Sequence, residues 1–176
     1  MPISIHKAKP KDATALGHIQ VTSWRSAFRN IASDDYLDNM ISVEHQAEDW
    51  KEILADSEQV VFVAEMEDRF VGYAWAHKED EESIEWDSEL ISMHILPEYK
   101  RQRIGRRLFA AVAKQLQEQG CKSIYLWVLE ENHPSRKFYE ALGGQYAGKH
   151  QIELGDRKLT EVAYGWKDIR QLEIVE

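Results

Sequence analysis

Residues 100–107, Lys100-Arg101-Gln102-Arg103-Ile104-Gly105-Arg106-Arg107, put five cations into eight positions. The chain as a whole runs the other way, with 22 Lys and Arg against 31 Asp and Glu, a formal charge of −9. The cations fall where a strand stopped by Pro97 gives way to a helix. A helix start leaves N–H groups unpaired and carries the positive end of the dipole, so cations there make sense beside a bound anion. Phosphate is the chemistry such a cradle suits, and Gly105, with no Cβ, lets the backbone come close to a ligand. The run also reads as an ordinary solvated helix face, and one glycine is a weak motif. Its position favours the anion site.

A second charged stretch has the opposite sign. Residues 79–89 hold seven acids and no Lys or Arg. Such runs are usually solvated loops, though one leading into a functional strand also steers a cationic ligand. His77 and His94 fall on strands, where histidines commonly serve structure. Cys121 follows a helix and precedes an apolar strand, the setting of a small buried residue. As the one cysteine it excludes an internal disulfide framework and a cysteine-based zinc cluster. No other ligand set with metal spacing is visible. Trp24, Tyr36, Trp75 and Trp86 either line a pocket or fill the core.

The elements that must position these residues follow from periodicity. Residues 3–8 alternate as a first strand, and from Asp12 the spacing of Leu16, Ile19, Trp24 and Phe28 is helical. Ser33-Asp34-Asp35 resembles a helix start, and another helix spans 43–54. Residues 60–64 and 70–77 read as a hairpin about Glu67-Asp68, and 89–96 as a strand. The stripe Ile104, Leu108, Val112 and Leu116 marks a helix over 101–119, ended by Gly120. Residues 123–129 are apolar on both faces, as in a covered central strand. Pro134 opens a short helix ending at Leu142-Gly143-Gly144, and two strands flank Gly155-Asp156. The order implies a mixed α/β or α+β domain, helices on both faces of one sheet.

Length and composition bound the rest. A chain of 176 residues, 43% apolar and 10% aromatic, suits one domain over 1–176 with a proper core. Its acidity argues against nucleic acid and membrane surfaces as partners. It has no apolar run of bilayer length, and its first residues are no signal peptide. The expectation is a cytoplasmic protein.

Two longer stretches carry a family resemblance. Glu89-Leu90-Ile91-Ser92-Met93-His94-Ile95-Leu96-Pro97-Glu98-Tyr99, with Gly105-Arg106-Arg107-Leu108, resembles the pyrophosphate-binding region of the GNAT superfamily of N-acetyltransferases. Residues 126–144, through Asn132, Ser135 and Phe138-Tyr139, resemble its second conserved region. Trp24, Phe28, Trp50 and the tail 152–166 extend the likeness over nearly the whole chain. Lys100 and Arg103 stand where the family pattern has Arg or Gln and its first glycine. Ser135 replaces a small Ala, and Gly144 a closing aromatic.

The resemblance implies a GNAT-like fold: a mostly antiparallel, splayed sheet of about seven strands with helices on both faces. It implies acetyl-CoA as cosubstrate, no metal, and direct attack by a small-molecule or peptide amine in a ternary complex. The cosubstrate would be held by Ile95, Leu96, Arg101, Gln102, Arg103, Ile104, Gly105, Arg106, Asn132, Ser135 and Tyr139. Arg103 would serve through a helical backbone, and a backbone N–H near Ile95 would hold the oxyanion. Tyr139 would protonate the leaving thiolate, and Glu89 is the candidate base, on one strand side with Ile91, Met93 and Ile95. A homodimer is compatible with this reading. The rivals are a non-catalytic acyl-CoA-binding regulatory domain and, against the chain's charge, an arginine-rich RNA contact.

Overall fold

The computed structural model describes residues 2–81 and 84–172. One seven-stranded sheet runs through them: β1 (Ser4–Lys7), β2 (Gln59–Met66), β3 (Arg69–Lys78), β4 (Ser88–Ile95), β5 (Ile124–Leu129), β6 (Gln145–Leu154) and β7 (Arg157–Trp166). Their order is β1-β2-β3-β4-β5-β7-β6. Every pairing is antiparallel except β4 with β5. This is the mixed architecture that the element order implies.

Helices cover both faces. α1 (Ala13–Ala27) and α2 (Val43–Ala55) lie on one, where Leu16, Ile19 and Trp50 bury against Val61, Val63 and Tyr73. On the other, α3 (Ile104–Glu118) sinks Ile104, Leu108, Val112 and Leu116 among Ala74, Ala76 and Leu126. α4 (His133–Ala141) adds Tyr139 to that core. No helix among the described residues is long and apolar enough to cross a membrane.

Turn chemistry places the strands. Glu67 and Asp68 both take positive φ, 51° and 60°, the twist a tight β2–β3 hairpin requires. Ser42 caps α2, its hydroxyl accepting from the His45 N–H at 3.2 Å. The segment opened by Ser33 forms a π-helical turn at Tyr36–Met40, and the Ser33 hydroxyl accepts from the Tyr36 N–H.

Two local departures govern the site. α3 begins at Ile104, three residues later than the apolar periodicity suggests. The intervening Arg101 and Arg103 take φ of 66° and 63°. The expectation of a helical backbone at Arg103 is therefore overturned: it is a left-handed cap where glycine would be unstrained. The second departure is in β4. Trp75 faces Ser92 while Ala76 faces Leu90, which leaves Ile91 as a one-residue bulge. The bulge reverses the alternation, so Glu89 shares a face with Ser92 and His94. Met93 and Ile95 pack with Leu90 on the α3 face. The grouping of Glu89 with Met93 and Ile95 does not survive.

Candidate active site at the opening between β4 and β5

β4 and β5 pair only at Glu89–Tyr125 and Leu90–Leu126. Beyond Leu90 they part, and the gap joins the two faces of the sheet. On the α3 and α4 side lies a cavity of about 460 Å³, and on the α1 side one of about 170 Å³. Met93, His94, Asn132, Ser135 and Tyr139 line both, so they stand at the junction.

The larger cavity takes its charge from the loop before α3. Lys100, Arg101, Arg103 and Arg106 line it, and among the described residues none of them is in an ion pair. The first turn of α3 leaves the N–H groups of Ile104, Gly105 and Arg106 without intrahelical acceptors. Left-handed Arg101 and Arg103 bend the backbone that precedes them. A polyanion such as a pyrophosphate fits this cradle.

Gly105 serves differently from what its sequence position suggests. A Cβ there would lie 3.0 Å from Phe138 Cζ and 3.3 Å from Ile95 Cδ1. The glycine lets α3 press on α4 and β4, and it shapes the cradle through packing.

Ile95 contributes its backbone. The N–H of Leu96 donates to Val71 O on β3 at 2.9 Å. By the alternation of a strand, the Ile95 N–H points the other way, into the gap. The Ser23 hydroxyl donates to Ile95 O at 3.2 Å and fixes that peptide. Leu96 itself is buried on the α1 face. Of the cradle residues named from the sequence, Leu96 and Gln102 lie outside the cavity wall, and the others line it.

Tyr139 is 8% exposed, held between Phe138 and Trp166. Burial pushes its phenol well above the ordinary range, so it stays protonated at neutral pH. Among the described residues its hydroxyl has no hydrogen-bond partner. Asn132 caps α4, Oδ1 accepting from the Ser135 N–H at 3.4 Å.

His94 faces the smaller cavity among Trp24, Phe28 and Tyr73. Its Nε2 accepts a 2.9 Å hydrogen bond from the Trp24 indole, which fixes the neutral ring as the Nδ1–H tautomer. Burial, then the charge of Lys100, pushes its pKa down to about 4.

Glu89 stands apart from both cavity walls. Its Oε2 lies 3.5 Å from His77 Nε2, and Glu79 Oε2 lies 4.0 Å from the same atom. The pair with Glu89 raises the His77 pKa against the cost of burial. Donor atoms of His77, Glu79 and Glu89 lie within 4.8 Å of one another, a spacing one cation could span. Linear spacing hid this cluster because its members come from the end of β3, the residue after it and the start of β4, which strand pairing brings together.

The acidic run is not simply a solvated loop. Asp87 Oδ2 accepts from the N–H groups of Lys122 and Ser123, Glu85 pairs with Lys167, and Glu79 and Glu89 flank His77. These contacts sit where β4 and β5 are paired, the closed end of the gap; Glu82 and Ser83 lie outside the described residues. Of the other singled-out residues, Trp75 packs on Trp50, Tyr36 lies against Gly155, Trp86 lies under Lys167 and Cys121 is buried.

Sequence reasoning missed Glu161. This β7 residue lines the smaller cavity, its Oε2 2.9 Å from His150 Nε2. His150 stacks on Trp127, centroids 3.8 Å apart. The polar residues of β6 and of the first half of β7 held no cue to it.

Comparison with known proteins adds to this geometry. Residues 22–144 match the Acetyltransferase (GNAT) family. The chain is 33% identical over 171 residues to the uncharacterized N-acetyltransferase YuaI of Bacillus subtilis, spanning 97% of this chain and 96% of that one. It is 23% identical to a spermidine N(1)-acetyltransferase of Thermoplasma acidophilum, over 79% of this chain and 86% of that one. Among solved structures, PaiA N-acetyltransferase of Thermoplasma acidophilum with coenzyme A superposes with a TM-score of 0.78 at 20% identity, covering 95% of this chain and 99% of that one. That of yncA from Salmonella typhimurium with acetyl-CoA gives 0.72 at 16% identity, covering 95% and 94%. At these identities the structural likeness speaks for the fold.

Proposed function

The chain belongs to the Acetyltransferase (GNAT) family, an acyltransferase by its relatives, and on that premise we propose that it moves an acetyl group from acetyl-CoA to a primary amine by direct attack in a ternary complex. The observation that carries the reading is the gap between β4 and β5, with a cationic cradle on one side, a ring-walled cavity on the other and Tyr139 at the junction.

Arg101, Arg103 and Arg106, with the open N–H groups of Ile104 and Gly105, hold the pyrophosphate of the cosubstrate. The Ile95 N–H points into the gap and donates to the thioester oxygen, more strongly as that oxygen gains charge. The amine enters from the α1 side and attacks the thioester carbon. Its proton leaves through water to Glu89, whose carboxylate lies outside the cavity walls. Tyr139, held protonated by burial, gives its proton to the departing sulfur. Asn132 and Ser135 border the same channel.

The test is release of free thiol from acetyl-CoA across a panel of primary amines, with the acetylated amine identified by mass. Turnover that needs a primary amine supports the proposal. Tight acetyl-CoA binding with no thiol released by any amine would reduce the protein to a binding module.

A further inference from the structure

On the α1 side of the gap the cavity is walled by rings, Trp24 and Phe28 from α1 and Trp127 from β5, over Ile152 and Leu154 of β6. Glu161 is the one carboxylate in that wall among the described residues. Its side chain is 21% exposed, and one oxygen, Oε2, is engaged by His150. The other has no partner among the described residues. A carboxylate kept largely from water in an aromatic setting is costly unless a cation meets it. Indole faces attract the same cation.

The placement of Glu161 separates it from the chemistry. It lies opposite Leu129 on β7, beyond β5 as seen from β4. Two strand spacings put it roughly 10 Å or more from the β4 backbone. The nitrogen that attacks must be neutral when it does so, and a carboxylate beside it would hold its proton. Glu161 is set to hold a different charge.

Resting on the acetyl-transfer reading above, we propose that the acceptor carries a second positive charge, seated against Glu161 between the rings of Trp24, Phe28 and Trp127. The substrate class is a primary amine joined by a short apolar chain to another cationic group. The chain lies along Ile152 and Leu154, the reacting amine faces the β4–β5 junction, and the distal cation replaces water at the carboxylate. His150 positions Glu161 by its hydrogen bond and its stack on Trp127.

The probes are putrescine and pentylamine, which match in length but differ in having a second ammonium or a methyl. Wild-type kcat/KM should favour putrescine by about tenfold or more, the worth of one partly buried charge pair. In Glu161→Gln that ratio should collapse toward unity through the KM for putrescine. Quenching of tryptophan fluorescence by putrescine, with coenzyme A present, should weaken in parallel. Equal use of both amines by the wild type overturns the proposal without any variant, and so does a preference that survives Glu161→Gln. If putrescine binds through Glu161 but no amine releases thiol, the acetyl-transfer reading fails and the cation site stands. Turnover of pentylamine over putrescine does the reverse.

Discussion

Glu89 Oε2 and His77 Nε2 face each other at 3.5 Å across the β3–β4 ladder, on the α1 side of the sheet. The carboxylate raises the pKa of the imidazole above its ordinary value of 6.5. As a raised histidine, the pair contributes stability fully below pH 6.5, and that contribution is lost as pH climbs through the folded pKa. Glu89→Gln should lower the His77 pKa, read from its ring proton shifts in an NMR titration. If Glu89 also takes the proton of the amine, the variant loses kcat together with the acid limb of the pH profile. A lowered His77 pKa with wild-type turnover would leave Glu89 a structural partner alone.

Tyr139→Phe keeps the ring between Phe138 and Trp166 and deletes a hydroxyl with no partner among the described residues. Stability should therefore change by less than about 1 kcal/mol. Turnover should fall by about a hundredfold if the sulfur loses its proton donor, with the KM for acetyl-CoA little moved. Unchanged kcat would assign protonation of the leaving group elsewhere.

Gly105→Ala tests packing apart from charge. Its Cβ would meet Phe138 at 3.0 Å and Ile95 at 3.3 Å, and both sit in a crowded seam. Overpacking of this kind costs about 1–3 kcal/mol, read as a drop in the urea midpoint. Displacing α3 from α4 should also weaken acetyl-CoA in calorimetry. Stability and affinity both unchanged would show that the seam gives way freely.

Arg103→Gly separates strain from charge in the cradle. The left-handed Arg103 costs roughly 1 kcal/mol, which glycine would relieve in part against its own chain entropy. The variant should be as stable as the wild type or slightly more so. It should nonetheless bind acetyl-CoA more weakly, by a margin that shrinks in high salt as screening grows. Binding tighter than wild type would mean that the Arg103 side chain opposes the ligand.

Much of this arrangement is legible in the sequence, and the exceptions have physical causes. The stripe from Ile104 to Leu116 and the turn residues Glu67-Asp68 announce their elements because periodicity and turn chemistry are local. The bulge at Ile91 is not local. Within residues 89–96 the adjacent apolar pair Leu90-Ile91 interrupts the alternation, but it reads equally as a strand covered on both faces, and only pairing with Trp75 and Ala76 exposes the extra residue. Arg101 and Arg103 advertise charge, but their left-handed backbone follows from where α3 must dock. Glu161 and the cluster around His77 are assembled by strand pairing across hairpins, which spacing along the chain does not record.

The Trp24–His94 hydrogen bond makes the last prediction, one of stability against pH. His94 is neutral, buried and held at a pKa of about 4, below its unfolded value. For a histidine depressed in the folded state, the unfolded chain binds the proton more readily once pH drops below 6.5. The His94 contribution is therefore fully present above pH 6.5 and is lost as pH falls toward 4, with a full span of roughly 3 kcal/mol. His77 acts with the opposite sign, so the measurement must isolate His94. The urea midpoint of the wild type, followed from pH 7 to pH 4, should fall more steeply than that of His94→Gln, which keeps a side-chain acceptor for the indole but cannot titrate. Trp24→Phe should destabilise the fold by about 1–2 kcal/mol near neutrality, since it strands Nε2. It should also shallow the acid slope, because a freed ring admits a proton more easily. Identical slopes in wild type and His94→Gln would show that His94 gains its proton in the folded protein as readily as in the unfolded chain.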